Sequence, residues 1–176
     1  MNGAANFAFA NRSALTHRLR QTLATEIDVE TRLLYDVSHN IAKIEDHVIH
    51  GKTCTCCVHR KGATRALPGQ PVLVPGDMGT GSWLLEGKEG NRAFSSSCHG
   101  AGRLLSRSQA KKQIDGKALK RELESRGIRI HANTSNIISE EAPDAYKDVD
   151  EVIGLTNSAG LTKPIARMMP LAVIKG

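Results

Sequence analysis

A mixed α+β fold, with short strands and several helices around one aliphatic core, is what this 176-residue sequence predicts. Two observations lead there. Glycine and proline punctuate the middle of the chain at short intervals, which suits brief strands, while breaker-free runs of helix formers stand on either side. Apolar residues make up 40% of the chain, but they include only three Phe, two Tyr and one Trp, so the interior must be filled by aliphatic side chains. No segment repeats and no long linker intervenes, so residues 1–176 read as one unit that can bury roughly 70% of its unfolded surface.

From Leu15 to Tyr35, the positions Leu15, Leu19, Leu23, Ile27, Leu33 and Leu34 recur near helical spacing, which predicts an amphipathic helix broken near Asp28. Val37 to Val48 is mixed. Val58 to Val74 reads as short strands separated by Gly62, Pro68 and Gly69. Leu104 to Gln113 and Ala118 to Arg126 predict two helices, the second stopped by Gly127. A strand at Ile128–Ile130, a helix after Pro143 and an apolar strand over Met169–Ile174 complete the expectation.

The formal net charge of +6 favours a polyanionic partner such as nucleic acid or a nucleotide. No apolar run reaches the roughly 18 residues of a membrane span. The first turns carry Arg12, His17, Arg18 and Arg20 without an apolar leader, so a soluble, cytoplasmic chain with no membrane partner is expected. Cys54, Cys56 and Cys57 crowd one stretch that alternates like a strand, with Cys54 and Cys56 on one face and Cys57 on the other. Packing is the first expectation for them, a soft-metal site the second.

Chemistry concentrates in Ser95-Ser96-Ser97-Cys98-His99-Gly100-Ala101-Gly102-Arg103, expected to lead straight into a helix whose exposed N–H groups favour an anion. A neutral imidazole at His99 can attack phosphorus or shuttle a proton. Arg103 and Arg107, four apart, are expected on one helix face where guanidinium forks meet phosphate. The plainer alternative is a tight strand-to-helix turn with a surface histidine. Tyr35-Asp36-Val37-Ser38-His39-Asn40 offers a metal-ligating imidazole and an amide, or simply a capped helix start. His59-Arg60-Lys61-Gly62-Ala63-Thr64-Arg65 is either a phosphate-contacting loop or a charged hairpin.

These blocks, together with Asn6-Phe7-Ala8, Pro75-Gly76-Asp77-Met78-Gly79-Thr80, Glu141-Ala142-Pro143 and Ala172-Val173-Ile174-Lys175-Gly176, resemble the RtcB family of RNA ligases over nearly the whole chain. The resemblance implies a GTP- and manganese-dependent ligase that joins RNA ends bearing a 2′,3′-cyclic phosphate or 3′-phosphate to 5′-hydroxyl ends, as in tRNA splicing and RNA repair. It implies that His99 becomes histidine-GMP. His39 is then a manganese (Mn2+) ligand, with Asn40 its neighbour on the nucleotide. Pro75, Gly76, Asp77, Met78 and Ser82 line guanine, and Gly100, Ala101 and Gly102 cradle the α-phosphate. Tyr146 stacks on the base, Lys175 contacts it, and Arg103 and Arg107 meet phosphate or RNA.

The family's Asp-x-Gly-Cys and Gly-x-x-Asn-His-Phe elements do not occur in this sequence. The resemblance is thus to a carboxy-terminal, nucleotide-handling half, and implies that a separate amino-terminal half chain brings the other metal ligands. The competing expectation is a non-catalytic guanine-nucleotide or RNA-binding module.

Overall fold

The computed structural model describes residues 2–172 and divides the chain into two compact units, Met1–Thr64 and Arg65–Gly176. The architecture is mixed, with helices and small antiparallel sheets, and where the sequence reads as one unit its contacts group into two.

In the first unit, α1 (Asn2–Ile27) starts earlier than the hydrophobic spacing suggests and buries only Ala5. Leu15, Leu19 and Ile27 stay 56%, 40% and 60% exposed, so the apolar spacing is real but unmatched by a partner within this unit. The helix stops where expected. Asp28 takes a left-handed φ of 51°, and the Val29 amide turns back to the Leu23 carbonyl at 3.1 Å, so Leu33 and Leu34 belong to no helix.

Strands β1 (Asn40–Ile49) and β2 (Lys52–Lys61) then pair antiparallel along their whole length. Their two-residue turn, His50-Gly51, has φ of 49° and 75°, the doubly left-handed geometry that matches strand twist. The alternation places half-buried Cys54 and Cys56 with buried Val58 and Arg60, while Cys57 faces out, as the sequence suggests. A short strand, β3 (Ala63–Arg65), spans the division between the units.

The second unit holds the aliphatic core in two clusters. Strands β4 (Pro71–Val74), β5 (Ser82–Gly87) and β7 (Thr162–Met168) form an antiparallel sheet in the order β4-β5-β7. Helix α5 (Val149–Ser158) sends Val149 and Ile153 against Val72, Val74, Leu85 and Ala66. Each fully buried side chain of this size contributes roughly 1.5–3 kcal/mol. The second cluster joins Leu123 of α3 (Gly116–Ser125) to Ile138 of α4 (Ser135–Glu140) and to Ile130, with Met78, Leu119 and Ile128 around it.

Three expected elements move. Helix α2 spans Arg107–Gln113 rather than starting at Leu104, because Ser106 forms a capping box with Gln109 and fixes the first turn there. Ile128–Ile130 is not a strand: the Ile128 amide closes back on Leu123 and Ile130 is packed as a core residue. The last described strand is β7 rather than Met169–Ile174; residues 169–172 are irregular, and Val173 and Ile174 lie outside the described residues. Pro164 hides β7 in the sequence, yet an edge strand tolerates it beside the bulge, where Leu84 and Leu85 face Ala166 and Pro164. No described helix is long and apolar enough to cross a membrane.

Candidate functional site

His99 follows β6 (Ser96–Cys98) directly and is half-buried. Its position is set by what flanks it. Cys98 and Ala101 both pack against the Ala66–Val72–Leu85 cluster, so the core grips the turn on either side of His99. Burial pushes the Cys98 thiol above its ordinary value, which keeps it protonated near neutrality. Among the described residues the outer side of the turn is open. A Cβ built on Gly100 or Gly102 meets none of them within 4 Å, and Gly102 holds a left-handed φ of 81° while its carbonyl accepts from the Lys147 amide at 3.0 Å. The turn can thus bring its backbone close to a ligand.

Asn91, which sequence reasoning passed over, ties down the approach to this turn. Its amide donates to the carbonyls of Ser96 (2.9 Å) and Leu161 (3.1 Å), while its oxygen accepts from the Ala93 amide at 2.8 Å. Phe94 and Ser95 follow in left-handed conformations, φ 53° and 48°, and such strain in non-glycine residues persists only where surrounding bonds hold it.

A helix start beside His99 is not found. The Leu104 and Leu105 amides donate to the Ala145 carbonyl at 2.8 and 3.2 Å, and Ser106 caps the first turn of α2. Those N–H groups are committed inside the protein, so the anion site expected from a helix dipole gives way to the glycine turn itself.

Arg103 also departs from expectation, since it lies outside the helix in a bridge opposite Tyr146. Its guanidinium donates to the Leu105 carbonyl (2.9 Å) and the Tyr146 hydroxyl (2.7 Å), stands 3.6 Å from Glu141, and lies 4.6 Å from the centre of the Tyr146 ring. Tyr146 donates its own hydroxyl to Glu141 at 2.6 Å. Burial, reinforced by that carboxylate, pushes its phenol up to about 12, so it remains a neutral donor across the physiological range. Arg107 is mostly exposed, with only a loose 3.7 Å pairing to Glu140. The two arginines therefore do different work: Arg103 braces the turn, and Arg107 stands available to a ligand.

The loop from Pro75 to Gly81 is folded on itself. The Gly76 amide donates to Ser82 Oγ (3.2 Å), the Asp77 amide to Thr80 Oγ1 (3.0 Å) and the Gly79 amide to Asp77 Oδ1 (2.8 Å). A Cβ on Gly79 would contact Pro143 at 3.5 Å, so this loop touches the 3-10 turn Pro143–Ala145 that ends at Tyr146. Met78 leans on the Leu123 cluster, which gives it a packing role. The structure thus links three predicted segments: the His99 turn through Arg103 to Tyr146, and Tyr146's own turn to the Asp77 loop.

His39 and Asn40 belong to the first unit, at the start of a strand rather than a helix. The His39 carbonyl accepts from the Gly62 amide at 3.0 Å, and Asn40 pairs with Lys61. In the neighbouring basic run, Arg60 is no phosphate contact: it is 3% exposed and grips both oxygens of Glu45 at 2.8 and 2.7 Å. That bond, working against desolvation, holds the Glu45 carboxyl below its ordinary value. Lys175 lies outside the described residues. Among the described residues, no three His, Cys, Asp or Glu side chains gather in a way that could hold a metal ion.

Comparison with known proteins gives a consistent result. The family model described as tRNA-splicing ligase RtcB matches residues 1–176. An RNA-splicing ligase RtcB of Mycobacterium bovis is 49% identical over 189 aligned residues, covering all of this chain and 44% of that protein. The tRNA-splicing ligases RtcB of Thermococcus kodakarensis and Pyrococcus horikoshii are 47% and 46% identical, again across the whole chain, which covers 41% and 23% of them. The chain thus spans less than half the length of these relatives.

Proposed function

The chain belongs to the RtcB family of tRNA-splicing ligases, and from that membership we propose that it supplies the nucleotide-handling half of a GTP-dependent RNA ligase, with His99 as the residue that takes GMP. The observation that carries this is the His99 turn. It is gripped by the core through Cys98 and Ala101 yet, among the described residues, open at Gly100 and Gly102, where a phosphate can approach backbone closely.

In the proposed reaction a neutral imidazole nitrogen of His99 attacks the α-phosphorus of GTP. A phosphorus–nitrogen bond forms, the bond to the β-phosphate oxygen breaks, pyrophosphate leaves, and the imidazole releases its proton to solvent. GMP then passes to an RNA 3′-phosphate, which regenerates the histidine. The 5′-hydroxyl of a second RNA end attacks that activated phosphate, forming the phosphodiester and expelling GMP. Gly100 to Gly102 offer backbone to the α-phosphate, Arg107 an exposed guanidinium to phosphate or RNA, and the Asp77 loop with Ser82 a bonded frame for the base. Arg103 and Tyr146, locked to each other, are positioning residues for the turn.

Manganese does not fit the described residues. His39 is one donor, and among the described residues no three His, Cys, Asp or Glu side chains gather to hold the ion. The remaining ligands are expected from an amino-terminal half chain. The same observation favours a second reading for the chain on its own, a guanine-nucleotide or RNA-binding module without turnover. Incubation with α-labelled GTP and manganese separates the two. Little labelled protein is expected from the chain alone, strong labelling when an amino-terminal RtcB half is added, and none with His99→Ala. Labelling that survives His99→Ala would remove the proposed nucleophile.

A further inference from the structure

A polar hollow of about 380 Å³ lies between the end of α2, the start of α3 and the start of α4, away from the residues assigned above. Lys111, Lys112 and Lys117 line it, with the amides of Gln113 and Asn136. Its floor is rigid. A Cβ on Gly116 would fall 2.1 Å from the Ser135 carbonyl oxygen, so α3 and α4 start in backbone contact. Ser139, 3% exposed, bonds the Ile114 carbonyl at 2.8 Å and the Ser135 carbonyl at 3.2 Å, tying the end of α2 to α4 beneath the hollow.

The charge around this floor is unbalanced. Lys111 pairs with Glu140, but among the described residues no ion pair includes Lys112, Lys117 or Arg121. The one carboxylate in the lining, Asp115, is spent on the backbone: Oδ1 accepts from the Lys117 and Ala118 amides at 2.9 and 3.3 Å. Those bonds hold its carboxyl below the ordinary range, with smaller help from Arg121 and Lys117. Arg121 is one helical turn beyond Lys117 on α3, so the positive edge continues past the hollow. A shallow site floored by serine and glycine, edged by unpaired lysines and containing amide donors suits a chain of phosphates rather than an apolar ligand.

We propose that this hollow binds the phosphodiester backbone of an RNA strand without regard to sequence, through Lys112 and Lys117, and so holds the strand beyond the ends being joined. The proposal rests on the family reading only in choosing RNA over other polyanions. The hydrogen bonds of Gln113 and Asn136 to the strand are secondary to the two charges.

Anisotropy titration of a labelled 20-nucleotide RNA of mixed sequence with the full chain, over a range of salt, tests it. Each phosphate contact adds about 0.7 to the slope of log affinity against log salt for a single strand. Lys112→Gln/Lys117→Gln should therefore lower the slope by roughly 1.4 and weaken binding at least about tenfold near 0.1 M salt. Lys43→Gln/Lys163→Gln removes the same charge from exposed positions elsewhere and should leave both quantities nearly unchanged. Circular dichroism melts establish that each variant is folded. The proposal is overturned if the unaltered chain does not bind the RNA, if the hollow variant binds as the unaltered chain does, or if the control pair weakens binding equally. It is also overturned if polyglutamate binds as tightly as RNA with the same lysine dependence, which would point to an acidic protein partner. Labelling of His99 by GTP reads the ligase proposal separately, and the hollow variant should retain whatever labelling the unaltered chain shows.

Discussion

A methyl group at position 76 would sit 2.1 Å from the Gly81 carbonyl oxygen and 2.5 Å from the Thr80 hydroxyl, so Gly76→Ala forces the Asp77 loop open. The backbone oxygen cannot swing aside as a flexible side chain could, and overpacking of this kind costs about 1–3 kcal/mol. We expect a urea midpoint lowered accordingly, with the loss of guanine-nucleotide affinity following from the displaced loop; an unchanged midpoint would mean that the loop is slack. Glu45 poses a different problem, because its partner Arg60 has a side chain only 1% exposed. The ion pair depresses the Glu45 carboxyl below 4.5, so its stabilisation is complete above that pH and is lost as pH falls through the lower, folded value. Glu45→Gln removes the carboxylate charge that the buried Arg60 guanidinium grips and should destabilise by about 3–5 kcal/mol at pH 7. It should also flatten the acid limb of a plot of urea stability against pH, and an identical acid limb in variant and parent would contradict the assignment. Neither position was legible as special in the sequence. Gly76 stands out only through its motif, and Arg60 reads as one more cation in a basic run until its strand turns it inward.

At the scale of elements, helices with their own punctuation were legible and helices without it were not. Gly127 and Gly160 end α3 and α5 with left-handed φ of 83° and 72°, and Asp115 caps α3, so local chemistry sufficed there. Helix α2 starts three residues later than the sequence suggests, because Leu104 and Leu105 are good helix formers that the fold does not use as helix. Their amides are claimed instead by Ala145, a contact between distant parts of the sequence that no local pattern announces. The same holds for β5 and β7, whose pairing carries Pro164 at a bulge, and for the two-residue turn at His50-Gly51, which the unremarkable composition of β1 concealed. Ser106 is the test of the local part of this account. Ser106→Ala removes the acceptor for the Gln109 amide, and a cap of this type is worth about 1 kcal/mol. Thermal melts should register that loss, and no change would mean that the Ala145 contacts alone fix the start of α2.

The whole molecule sets the limits on function. The first unit leaves Phe7, Leu34, Ile44 and Val48 each more than 70% exposed, and the chain spans less than half the length of its relatives, so the proposed amino-terminal half has apolar surface to cover. An added amino-terminal RtcB half is accordingly expected to coelute with the chain and to raise its melting temperature; separate elution of two folded species would contradict this. The sequence made the family and the His99 segment legible, because motif residues stay contiguous. The commitment of Arg103 to Tyr146, however, depends on a contact across 43 residues. The most direct trial of the central assignment is peptide mapping of the chain after incubation with GTP, manganese and that second half. One GMP-bearing peptide is expected, with an acid-labile phosphoramidate on His99. GMP found on any other residue, or a fully assembled and nucleotide-bound complex that carries none, would contradict it.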